Sequence, residues 1–350
     1  MMQLMLIALL FCGFQVAKAE ILVPTKLEDR SLRESFRKRV FPEGSPDRAC
    51  KIISKDLRGA VAEDAGLTES IESLIKAIKT SDGKMLVSLF HPQLKVRLSQ
   101  AKATLTSIQL ISGDKVDATL FRAYGLNNLD GETQAINCPD DGLMLHPLYG
   151  HPFQAGVWIQ ALGRDEVTRV YAIMVPTKEK WLIGAWHVQQ WTHAGKDFTV
   201  WRTEAEDLVA KKQDIAAWIY FDLTAKLLAG GKFVVFPVAK DIETERAKLL
   251  SGKSLKETLA EKFLPEKLVY ASSLFSRKGA SFLLRFGIPE EWSANAIREH
   301  CRAKFKQLSK ESWMSALAGV RCDYVLPRES IEKEGAQGGI FVDRENLADK

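Results

Sequence analysis

Three strand-like runs, Phe153 to Leu162, Glu166 to Val175 and Lys180 to Trp191, constrain this chain more than any other feature. They are rich in β-branched and aromatic residues and are separated by Gly163-Arg164-Asp165 and Pro176-Thr177-Lys178-Glu179, connections of hairpin length. The spacing predicts an antiparallel meander. Sorting the last run with a period of two puts Trp181, Ile183, Ala185, His187 and Trp191 on one face and Leu182, Trp186 and Val188 on the other. Both faces are apolar, whereas a sheet wetted on one side alternates more cleanly. One face is therefore expected to pack on N-terminal helices. The other is expected to meet another domain or, in a homodimer, a second copy of the chain.

The compartment is read from the other end of the sequence. Leu4 to Phe14 is an apolar run too short to span a hydrocarbon core of about 30 Å, and it precedes Ala17-Lys18-Ala19, a small-x-small cleavage pattern. Residues 1–19 thus read as a secretory signal, with Glu20 first in an exported, periplasmic or secreted chain. A lipoprotein signal does not fit, because Phe11 precedes Cys12 where a small residue is needed. No later apolar run approaches about 18 residues, so no transmembrane segment is expected in the mature protein.

Cys12 leaves with that signal, and Cys50, Cys138, Cys301 and Cys322 remain, an even number suited to an oxidising compartment. Four cysteines permit three pairings. Cys301 and Cys322 fall in one C-terminal block, on an expected helix and the strand after it, which favours Cys50 with Cys138 and Cys301 with Cys322. The bland alternative is that some are buried small hydrophobes. A net charge of +5 over 350 residues is far from the dense basic face of a nucleic-acid binder, and none is expected as partner.

Residues 20–66 form a polar lead-in and linker. Within it Leu32, Phe36 and Val40 recur every four residues among Arg30, Arg33, Arg37, Lys38 and Arg39, a narrow stripe that reads as a solvated helix packed on its own domain. From Leu67 the helical period is clean: Leu67, Ile71, Leu74, Ile75 and Ile78 share a face, with Thr68 as expected N-cap. A short second helix buries Met85, Leu86, Leu89 and Phe90 before Pro92 stops it. Between Ala101 and Ile136 the pattern weakens into short segments.

This order, a helix pair, an irregular middle and long meandering strands closed by Lys180-Trp181-Leu182-Ile183-Gly184-Ala185-Trp186-His187-Val188, resembles the nuclear-transport-factor-two-like superfamily over about residues 67 to 192. The resemblance implies a cone-shaped α+β fold, with a curved antiparallel sheet, of the kind found in ketosteroid isomerase and many small-ligand binders. The domain is taken as 67–200.

Residues 201–250 read as a helical hairpin or connector broken near Lys212-Gln213-Asp214. A second small α+β domain follows over 251–328. It has a Ser254/Glu257 capping box, a hairpin around Arg277-Lys278-Gly279, and a helix capped by Ser293 whose Ile297, Cys301, Phe305 and Leu308 share a face. Val320 to Leu326 and Gly339 to Asp343 are candidate further strands. Residues 329–350 form a polar tail.

Candidate chemistry is sparse. His146 and His151, each followed by Pro near Asp140-Asp141, have the donor types for a transition metal but match no zinc spacing, so the segment reads as a rigid turn and no metal is expected. Cys138 beside these histidines is an imaginable thiol nucleophile, but in an exported chain a disulfide suits it better. In the cone fold His187 is placed to line a pocket, and an acid such as Asp141, with a tyrosine among Tyr124, Tyr149 and Tyr171, would serve an isomerase or hydrolase. The residues match no such triad one by one. Trp158, Trp181, Trp186 and Trp191 are candidates for a ligand cleft or protein interface.

With no catalytic or cofactor signature, the preferred reading is a non-catalytic ligand- or protein-binding or assembly protein that meets a protein partner or small apolar ligand and needs no cofactor. A cofactor-independent isomerase or hydrolase, and a structural component of an envelope complex, are the alternatives.

Overall fold

In the computed structural model of the protein, the described residues are 40–41, 45, 48–54, 64–113, 115–129, 133–138, 142–148, 150–164, 166–177, 180–326 and 339–343. The expected leader at 1–19, nearly all of the basic stretch ending at Val40, most of the tail, and Asp140, Asp141 and Tyr149 lie outside them. The chain is mixed α+β with largely antiparallel sheets and divides into two compact units. One runs to Trp191 and regains the chain over Ala229–Pro237, and the other comprises Thr192–Leu228 and the residues from Val238 onward. No helix among the described residues is long and apolar enough to cross a membrane.

The first unit opens with strand β1 (Arg48–Ser54) and helices α1 (Ala65–Thr80), α2 (Gly83–Leu89) and α3 (Leu98–Ser112). Helix α1 starts two residues before the expected Leu67. Asp64, and not Thr68, is its cap, accepting from the Leu67 amide at 2.9 Å. Leu67, Ile71, Leu74 and Ile78 are buried as their spacing requires. Helix α3 and the twelve-residue strand β2 (Asp117–Asn128) replace the expected short segments. Their periodicity is muted because α3 buries Ala101, Leu105 and Ile108 amid polar neighbours, and β2 is buried on both faces over much of its length.

Strands β5 (Phe153–Leu162), β6 (Val167–Pro176) and β7 (Trp181–Gln190) form the expected meander and complete an antiparallel sheet in the order β1-β2-β5-β6-β7. The simple period of two fails within β7. Ile173 pairs with Ala185 but Met174 pairs with Ile183, so Gly184 is an extra, bulged residue. The bulge resets the alternation. Trp181, Ile183, Trp186 and Val188 all pack into the core beneath the helices, and His187 faces the other way, in register with Tyr171. A small sheet of β3 (Ile136–Cys138), β4 (Leu143–Leu145) and β8 (Val234–Val235) belongs to the same unit.

The second unit contains α4 (Phe198–Ala210), α5 (Asp214–Leu227), α6 (Val238–Lys248) and α7 (Leu255–Ala260). Trp201, Ala217, Leu223 and Leu227 from the first two of these are buried in its core. Its sheet runs β12-β11-β10-β9, from β9 (Lys267–Ser276), β10 (Gly279–Gly287), β11 (Gly319–Val325) and β12 (Gly339–Asp343). Strands β10 and β11 are parallel, joined through α8 (Ala294–Leu308), and the other pairs are antiparallel. Ser254 and Ser293 cap their helices as their positions demand.

Disulfides join Cys50 to Cys138 and Cys301 to Cys322, the favoured pairing. The first ties β1 to β3 and the second ties α8 to β11.

Candidate functional site

The four candidate tryptophans do not line one cleft. Trp181 and Trp186 lie on the helix-covered face of the first sheet, where Trp186 meets Phe90 edge-on with ring centroids 5.6 Å apart. Trp181 is held by α1, whose Asp64 accepts from its indole N–H at 3.3 Å. Trp158 and Trp191 lie on the opposite face with Tyr171 and Phe236, Trp158 being 5.0 Å from Tyr171 and 6.0 Å from Trp191.

This second face was expected to be covered by another domain or a second copy. Groups of its own unit lie against it. Trp158 and Tyr171 are 3% and 2% exposed within a single chain. Phe236 meets Tyr171 edge-on and lies tilted against Trp191, and a Cβ on Gly156 would lie 2.7 Å from a Leu145 methyl. A cation occupies the middle. The Arg169 guanidinium sits 4.0 Å from the Trp158 ring centroid and 3.0 Å from that of Trp191, with Phe121 beyond at 5.2 Å. Arg122 lies 4.4 Å over Phe121. Such stacking suits the planar, weakly hydrated guanidinium better than an ammonium. The sequence carried a faint signal for it. Arg169 and Tyr171 share a parity on β6, and register sets Tyr171 beside Trp158.

His187 meets no carboxylate among the described residues. Its Nε2–H donates to the Ala229 carbonyl at 2.9 Å, and Gly231 lies against the ring so closely that a Cβ there would fall 2.8 Å from Nδ1. Burial lowers its pKa from 6.5, opposed by the bond to Ala229. The imidazole therefore clamps the returning segment Ala229–Pro237 onto the first sheet. Its proposed partner Asp141 lies outside the described residues. Tyr124 is buried, 2% exposed.

Gln154 fixes the backbone at Leu148 and His151: its Oε1 accepts from the Leu148 amide and its Nε2 donates to the Leu148 and His151 carbonyls. His146 Nδ1 is 2.9 Å from the Thr133 carbonyl. No group of three His, Cys, Asp or Glu side chains among the described residues is arranged to hold a metal.

Comparison with protein-family models, curated proteins and solved structures finds no match.

Two polar clusters in the second unit escaped sequence reasoning, because their members are far apart along the chain. Lys226 donates to Ser273 Oγ at 2.5 Å, an arrangement known from serine–lysine nucleophiles, but Ser273 is 4% exposed and donates its proton to Asp222. Asp222 also pairs with Arg246. This is an internal ion-pair network. The other cluster lines a cavity of about 260 Å3 walled by Pro265, Phe286, Ile288, Pro289 and Trp292, with Glu266 and His300 as polar members. His300 Nδ1 lies 2.8 Å from Tyr324 Oη, and Lys304 pairs with Glu266. Burial pushes the His300 imidazole below its ordinary value and the Tyr324 phenol far above its own.

Proposed function

We propose that this protein is exported and acts as a non-catalytic binding or assembly protein, with a first unit akin to the nuclear-transport-factor-two-like fold whose cone interior is filled. The observation that carries this reading is the Arg169 stack. The sheet face that would line a cone cavity is occupied by Trp158, Tyr171, Trp191 and Phe236 around a buried guanidinium. That leaves His187 as a clamp on backbone, and directs recognition to other surfaces.

Export is supported by the leader-like first 19 residues and by two disulfides, one within each unit, which an oxidising compartment would form and keep. Two stapled α+β units suit an adaptor working outside the cytoplasm.

The test uses the full chain purified from an oxidising compartment. A filled interior predicts no saturable quenching of tryptophan fluorescence by a steroid such as 19-nortestosterone. It also predicts that Trp191→Ala, by opening space beside Trp158, creates or strengthens binding of such a ligand. Micromolar steroid binding by the unaltered protein, lost in His187→Gln with folding intact, would overturn the reading in favour of an isomerase-like site.

A further inference from the structure

The second unit's cavity has a polar end built from His300 and Glu266. His300 Nε2 is buried and faces Glu266 Oε1 at 3.4 Å, a long ion-pair contact that misses good hydrogen-bond geometry. Nδ1 is already engaged by Tyr324 Oη. A buried ring nitrogen held only by so long a contact is poorly satisfied in either tautomer, weakly bonded as a donor and facing a second acceptor when bare. A hydroxyl satisfies both states. It accepts from Nε2–H while donating to Glu266, or donates to a bare Nε2, whereas an ammonium only donates and a carboxylate only accepts.

The walls define the rest of the ligand. Phe286, Ile288, Pro289 and Trp292 line a half-open pocket of about 260 Å3, larger than the dry cavity of about 150 Å3 that holds benzene. There is room for one substituted aromatic ring. Leu264, next to the lining residue Pro265, is 74% exposed, an uncovered apolar side chain beside an apolar pocket. Charge argues against a cationic ligand. Lys304 already pairs with Glu266, and Lys267 is part of the lining.

We propose that this cavity binds a phenol, with the hydroxyl at His300 and Glu266 and the ring between Trp292, Phe286 and Ile288. The assignment stands apart from the reading of the first unit, since it uses only residues of the second. The same ring chemistry is offered by a free phenol and by a tyrosine side chain of a polypeptide.

The test titrates the full disulfide-bonded chain with 4-methylphenol, toluene and benzylamine, following the Trp292 indole N–H by NMR, with that signal assigned by Trp292→Phe. Saturable shifts are expected for 4-methylphenol, with affinity about tenfold above toluene, the ratio for one hydrogen bond to a charged group. Benzylamine should bind more weakly than 4-methylphenol. Ile288→Trp, which fills the cavity and leaves the polar members in place, should abolish the shift. N-acetyltyrosinamide separates the two sources: binding at least as tight as 4-methylphenol assigns the ring to a polypeptide, and weaker binding assigns it to a small molecule. Toluene within twofold of 4-methylphenol, tighter binding of benzylamine, or no saturable shift at Trp292 with any probe would overturn the proposal.

Discussion

The two units solve the same problem with opposite second faces. Each has a sheet whose first face is packed by helices and a disulfide that ties neighbouring elements. In the first, β5 and β6 are buried on both sides, and the face away from the helices holds the Arg169–tryptophan stack. In the second, the far face is polar and partly wetted. Phe282, Leu284 and Phe286 point into the core, and Leu283 and Arg285 alternate with them. Asp323 is held there by Arg321 at 2.9 Å and Arg285 at 3.5 Å. A run without alternation marks a doubly covered strand, and an alternating one marks a strand with a solvent side. This chain displays both rules.

The disulfides offer the largest contrast. Cys50 and Cys138 are 88 residues apart, and Cys301 and Cys322 are 21 apart. On loop-closure entropy the double Cys→Ser variant of the first pair should cost about 4.6 kcal/mol and that of the second about 3.3 kcal/mol. Urea unfolding without reductant measures both. A larger loss from the shorter loop would show that local packing, and not chain entropy, dominates.

The second faces come next. Trp158→Ala removes an indole that is 3% exposed and strands Arg169, so a loss of about 4 kcal/mol is expected. Tyr270→Ala, at a side chain 40% exposed in the second unit, should stay within about 0.5 kcal/mol. Equal effects in denaturant titrations would mean that the polar face is covered too. Gly156→Ala sharpens the same point, because its new methyl would meet Leu145 at 2.7 Å and Tyr124 at 3.5 Å. Overpacking there should cost about 2 kcal/mol, read from the same titration.

How much of this was legible depended on whether the signal was local. The meander, the Ser254 and Ser293 caps, and the Ile297-Cys301-Phe305-Leu308 stripe all follow from spacing within one element. Helix α3 and strand β2 were not read, because small and polar residues dilute the period in one and double burial removes it in the other. The face of His187 was misread for a specific reason. One bulged residue, Gly184, reverses the alternation, and no turn or proline marks it. The Glu266–His300–Tyr324 cluster needed three elements to meet, which no spacing rule reports.

The smallest expected effect compares the two buried imidazoles. Burial depresses the pKa of both His187 and His300 below 6.5. The folded state therefore favours the neutral ring, and the unfolded chain binds more protons between each folded pKa and 6.5. Stability from this source is complete above pH 6.5 and declines as pH falls through that window. The opposing influences differ. At His187 the Ala229 carbonyl favours the proton, whereas at His300 Glu266 favours it and Lys304 resists it. Thermal melts between pH 7.5 and 5 should show a falling midpoint, and His187→Gln and His300→Gln should each flatten part of the fall. A midpoint that rises on acidification, or a slope unchanged in both variants, would mean that these rings accept protons as readily folded as unfolded. The clamp on Ala229 and the long Nε2–Glu266 contact of the cavity would then both need another account.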